Sequence, residues 1–138
     1  MAEEPATITY SIAEPFEQAL KTVRSVLSGP GLKVSGQLDI SSRIRQRLLI
    51  GTAPCVVLLV SPSAALGKAL GSDSSAAGLA PLHVVVSSRG RQSEVHVLRI
   101  LSNEGGLLDR QAMSAVNQIQ AQILEAIEKI GTRVTLTV

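Results

Sequence analysis

The sequence predicts an α+β fold, a two-layer sandwich in which a mostly antiparallel sheet is covered by helices on one face. Three observations predict it. Several short stretches alternate apolar and polar residues at period two. Two of them adjoin as a hairpin around Arg89-Gly90, and an aliphatic stripe at helical spacing lies near the C-terminus. Strand, helix and strand followed by a late hairpin suit such a sheet better than a doubly wound parallel one.

"ATITYSI" places Ile8, Tyr10 and Ile12 on one side of a first strand. "EPFEQALKTVRSVLSG" then gathers Phe16, Leu20, Val23 and Leu27 on one helical face, with Pro15 suited to the first turn and Gly29 to the stop. "LKVSGQLDI" is a second strand whose Gly36 marks a bulge or a close backbone approach. Ser41 or Ser42 can cap a short helix, "SRIRQRLL". "PCVVLLV" is apolar at every position, so it is expected to be an interior strand or to have one face closed by another subunit. Pro62 is expected to stop it, and "SAALGKAL" to form a helix of two turns.

"GSDSSAAGLAP" reads as a loop, the one low-complexity segment. In the hairpin, Val84 and Val86 share a face with Val95 and Val97. The long helix presents Val116, Ile119, Ile123, Ile127 and Ile130 as its stripe and ends at Gly131. "RVTLTV" alternates again and either adds an edge strand or hangs free.

The 138 residues fit one domain spanning 1–138, with a core expected over about 8–130 and a short tail at 132–138. Such a chain buries roughly two thirds of its unfolded surface, so no disulfide or metal staple is required. The hydrophobic fraction is 45%, yet Tyr10 and Phe16 are the only aromatics, which leaves nothing for base-stacking platforms. A net charge of +2 demands no polyanionic partner. One cysteine, Cys55, excludes an internal disulfide and a thiolate-rich zinc site within one chain. The acidic "MAEEP" is not a signal peptide, and the longest apolar run falls far short of the about 20 residues of a spanning helix. A soluble, cytoplasmic protein is therefore expected, with no membrane partner.

The run from "FEQALKTVRSVLSGPGLKVSGQLDISSRIRQRL" through "VLLVSPSAALGKAL" to "GLAPLHVVV" resembles the bacterial and archaeal family known as domain of unknown function 302, over about residues 8 to 130. That family typically carries a Cys-Asn-Pro-like triplet at the end of one strand and a Leu-Pro-Cys-like triplet at the start of a later one. Here those places hold Val60, Ser61, Pro62 and Ala80, Pro81, Leu82, so the prolines match and both cysteines are absent. The resemblance implies a compact α+β domain that forms homodimers. It implies no established activity, and thiol chemistry does not carry over.

Among individual residues, Cys55 lies in an apolar strand that raises rather than lowers a thiol pKa, so an inert core cysteine is expected. Ser61 and Ser63 flank Pro62 without the Gly-x-Ser-x-Gly of a nucleophile elbow, and helix capping accounts for them. A helix N-terminus there, near the 71–81 loop, would attract an anion. Lys68 of "GK" lacks the other residues of a phosphate loop. Arg43, Arg45 and Arg47 on one short helix, and Arg89 and Arg91 at the hairpin tip, can each fork onto a carboxylate or phosphate. If Arg89-Gly90 is a two-residue loop, His83 faces His96 across the hairpin with Glu94 on the same side, a set that could hold zinc or iron.

No acid–base pair, nucleophile or nucleotide loop stands out, so a homodimeric small-ligand-binding or structural domain without a required cofactor is preferred to an enzyme. Its ligand-binding candidates are Ser61, Ser63, Arg43 and Arg47, which suit a small anionic ligand. The first alternative is a metal-dependent enzyme at His83, His96 and Glu94. The second is an anion or nucleic-acid binder through Arg43, Arg45 and Arg47, which the missing aromatics oppose.

Overall fold

The computed structural model describes residues 7–29, 31–42, 53–62, 82–98 and 110–134. Their order is β1 (Thr7–Ile12), α1 (Phe16–Val26), β2 (Leu32–Asp39), β3 (Cys55–Pro62), β4 (Leu82–Arg89), β5 (Gln92–Leu98), α2 (Arg110–Glu128) and β6 (Thr132–Arg133). The strands form one antiparallel sheet in the order β2-β3-β4-β5-β1-β6, an α+β architecture. The uniformly apolar β3 is interior, between β2 and β4.

Alternation sorts the sheet. Ile8, Tyr10 and Ile12 of β1, Val95 and Val97 of β5, Val84 and Val86 of β4, and Val56, Leu58 and Val60 of β3 are all buried. The register puts Val56 beside Val86, Leu58 beside Val84 and Val86 beside Val95, so these side chains form one continuous floor. Ala19, Val23 and Leu27 of α1 and Val116, Ile119, Ile123 and Ile127 of α2 belong to the same core cluster. Of the expected stripes, Phe16, Leu20 and Ile130 are only partly buried at the margin, and Ala19 takes the place next to Val23. Ser93 is a polar residue on this floor, and its hydroxyl donates to the Glu14 carbonyl at 2.8 Å, which offsets its burial.

Turn chemistry places the elements. Pro15 is the N-cap of α1, extended at φ −65 and ψ 160, and its carbonyl accepts the Ala19 amide at 2.9 Å. Gly31, at φ 91, makes the turn into β2. At Gly131 the backbone amide bonds the Ile127 carbonyl, and a Cβ there would lie 3.1 Å from the Ser11 carbonyl. That close approach lets the chain run straight from α2 into β6, which pairs with β1 at Tyr10 and Ser11. The tail thus supplies an edge strand at Thr132–Arg133, and 135–138 lie outside the described residues.

Three expectations are corrected. β3 does not stop before Pro62: Ser61 pairs with Lys33 and Pro62 with Leu32. The described ladder to β4 ends at Val60, opposite Leu82, so beyond it a proline amide is not needed on that side. The hairpin turn is Gly90-Arg91 rather than Arg89-Gly90, because Arg89 pairs with Gln92. Finally, the helical turn entered at 40–42 is capped by Asp39, not by Ser41 or Ser42, since Asp39 Oδ1 accepts the Ser42 amide at 2.9 Å. Gly36 is both a bulge and a close approach: the β2–β3 register shifts between Val34 and Gly36, and a Cβ there would lie 3.3 Å from Leu59 Cδ1.

Tyr10 gives the core a pH dependence. Burial, then the hydrogen bond to Glu128 at 3.1 Å and the charge of that carboxylate, push its phenol up to about 12, with Arg133 pulling the other way. The folded state holds the phenolic proton more tightly than the unfolded chain. The associated stability is therefore complete below the ordinary value of 10.0 and is lost as pH climbs towards about 12. The urea midpoint of the parent protein is expected to fall across that window. Tyr10→Phe should flatten the fall while costing on the order of 1 kcal/mol at neutral pH for the lost hydrogen bond.

Candidate functional site

The residues that alternate with the core positions occupy the opposite face of the sheet. Leu38 lies beside Val57, Val57 beside Val85, Val85 beside His96 and His96 beside Thr9, forming one row across five strands. A second row runs from Gly36 to Leu59 to His83 and, by continuation of the register, to Leu98 and Thr7. A third contains Cys55, Ser87, Glu94 and Ser11. Val57, Leu59, Val85 and Leu38 are half-buried, and Leu98 is 44% exposed, the one large apolar side chain to be so open among the described residues.

His96 is the polar centre of this face. Its Nδ1 lies 3.0 Å from Thr9 Oγ1 and its Nε2 3.3 Å from Ser87 Oγ, so both ring nitrogens are engaged by hydroxyls from neighbouring strands. A hydroxyl, an imidazole and a second hydroxyl in series resemble a nucleophile, its base and an orienting group. Ser87, however, sits inside β4, which is laddered on both sides, and those amides are committed to strand pairing rather than turned towards a developing oxyanion. The arrangement holds the ring in place.

Beside it, Glu94 accepts from Arg89 Nη1 at 3.0 Å, with the Arg89 side chain 75% exposed, an ion pair of small energetic weight. The expected facing of His83 and His96 does not occur. Both are on the open face, but the one-residue shift of the turn moves the pairing by two residues and leaves His96 opposite Val85, while His83 lies beside Leu59 of β3. Glycine supplies the reason: Gly90 has φ 66, and hairpin turns that match strand twist need positive φ at the first central position. Among the described residues no group of three or more His, Cys, Asp or Glu side chains could hold a metal ion, and His83, His96 and Glu94 are not brought together as one.

Ser61 is in β3, where its hydroxyl lies 2.8 Å from that of Ser35, and the helix it was expected to cap lies outside the described residues. Ser63, Arg43, Arg45 and Arg47, Lys68 and the 71–81 loop lie outside the described residues. Cys55 is a free, half-buried thiol on the open face rather than in the core. Its backbone amide donates to Ser41 Oγ at 3.2 Å, and that hydroxyl donates to Asp39 at 2.8 Å, which ties the start of β3 to the end of β2. Sequence reasoning missed the Thr9–His96–Ser87 chain. Its only signal is the presence of two hydroxyl residues at cross-strand positions, visible once the register is known.

The chain belongs to the family described as domain of unknown function DUF302, whose model matches residues 8–130. Its fold is that of a crystal structure of an uncharacterized conserved DUF302 protein from Bacillus stearothermophilus. The TM-score is 0.79 at 13% identity, covering 92% of this chain and 99% of that one. No curated protein matches the sequence. No helix among the described residues is long and apolar enough to cross a membrane.

Burial pushes the Cys55 thiol above its ordinary value, and the Asp39 carboxylate adds to the effect. The thiolate is the reactive form, so labelling by a thiol reagent should be slow at neutral pH and accelerate as pH rises. Asp39→Asn keeps a good cap but removes the charge, and should speed labelling at a given pH when followed by mass spectrometry.

Proposed function

We propose that this domain is a two-layer sandwich whose open sheet face pairs with a second copy of the chain, and that it serves as a small-ligand-binding or structural dimer rather than a catalyst. One observation supports the reading above the others. Leu38, Val57 and Val85 run side by side across β2, β3 and β4, flanked by Leu59 and Leu98, on a face where the described helices contribute nothing to the core cluster.

The charge pattern favours a copy of itself as the occupant. No Asp, Glu, Lys or Arg stands in the middle of the face, and its charges, Lys33 and the Arg89–Glu94 pair, stand at the borders, the latter already matched. An apolar patch with its carboxylate and basic side chains at the border meets its own image without bringing like charges together, as a twofold interface requires. The hydroxyl-held imidazole of His96 adds a rigid polar point within the patch.

Light scattering on the purified protein is expected to give twice the chain mass, and Val57→Lys to give a folded species of the single mass, checked by circular dichroism. Leu58→Lys is the contrasting variant. Leu58 is fully buried in the core, so a lysine there should unfold the chain outright. A parent protein of single mass at micromolar concentration would show that the face is covered from within the chain.

A further inference from the structure

A groove of about 620 Å³ runs between α1 and β2 and reaches Ser35 and Gly36 at the bulge. Glu17, Leu20, Lys21 and Arg24 line one wall, at the i, i+3, i+4 and i+7 spacing that gathers side chains on one face of a helix. Val34 and Gln37 of β2 stand on the other side. Leu20 and Val34 are partly buried at the core margin, so their outward surfaces form an apolar floor.

Two features give this groove a chemical preference. Arg24 donates through Nη1 to the side-chain oxygen of Gln37 across the groove, which holds the guanidinium over the floor and leaves its other N–H groups available. Lys21 lies one turn earlier and, among the described residues, has no hydrogen-bond or ion-pair partner, although Glu17 stands at the spacing that permits one. Glu17 lines the same wall but forms no ion pair with either cation among the described residues, so both stay open to an anion that also covers Leu20 and Val34. A guanidinium fork held in position suits a carboxylate, and the floor beside it suits a hydrocarbon tail.

We infer that the groove between α1 and β2 binds small amphipathic carboxylates, with the carboxylate between Lys21 and Arg24 and the tail over Leu20 and Val34. This rests on the small-ligand half of the function proposed above and names its ligand class; it does not depend on the open face.

The test is titration of the isotope-labelled full chain with sodium octanoate, followed by amide chemical-shift changes, with octanol, octylamine and inorganic phosphate as comparison probes. Octanoate is expected to shift amides of residues 17–24 and 34–37 in a saturable way. Lys21→Glu combined with Arg24→Glu should weaken it at least about tenfold, the loss expected when two charge-assisted bonds become repulsions. Gln37→Ala, which frees Arg24 without removing its charge, should weaken it less.

Several results would overturn the inference: no saturable shift, equal response to octanol or octylamine, response to phosphate equal to that of octanoate, indifference to the charge reversal, or shifts centred on Val57 and Leu59. The last would place the octanoate on the open face. None of these changes the mass by light scattering, so failure here and failure of the dimer reading are told apart.

Discussion

The register between β4 and β5 is the constraint on which the rest of the sheet depends. Gly90 takes a positive φ that side-chain-bearing residues adopt with difficulty, so the turn falls on Gly90-Arg91 and Arg89 must oppose Gln92. From that point Val86 meets Val95 and Val84 meets Val97 on the core side. A slip of β5 by one residue would send Val95 and Val97 to the outside and bring His96 and Glu94 into the core, at the cost of burying polar groups without partners. The same register carries outwards: β3 aligns on β4, β1 on β5, and the hydroxyls of Thr9 and Ser87 arrive on either side of His96.

Much of this fold is legible in the residues alone. The period-two stretches around Tyr10, Val84 and Val95 and the aliphatic stripe from Val116 to Ile127 are strong because each separates wet from dry positions. β3 is different. A run apolar at every position has no period to read, so nothing in it tells Val57 from Leu58. Only pairing does so, by setting Leu58 against Val84 in the core and Val57 against Val85 on the open face. Capping shows a similar competition among neighbours. Asp39, Ser41 and Ser42 can all accept an amide bond, and the carboxylate at the strand end takes the role while Ser41 turns to brace β3.

The candidate chemistry is less legible for a physical reason. Hydroxyls and imidazoles act through pairs, and a pair between β1 and β5 spans 87 positions in sequence. Composition announces two histidines but says nothing about their partners, and a one-residue displacement of the turn, which moves the pairing by two, is enough to turn a histidine pair into a histidine beside a valine. The α1 groove follows the same rule. Lys21 and Arg24 read as ordinary solvated positions of an amphipathic helix until β2 places Gln37 and Val34 opposite them.

The bulge in β2 has a consequence for how copies of this chain can meet. Among the described residues β2 is an end strand of eight residues, a kind of strand whose outer backbone groups another strand can extend, and growth by that route has no natural stopping point. The extra residue at Ser35 and Gly36 breaks the regular spacing of that outer row, and Lys33 sets a charge near its start. Filament-like addition along the sheet is thereby discouraged, while a pairing of broad faces closes after two members. Resistance to edge-to-edge growth is in this sense written into a single irregular step of one strand.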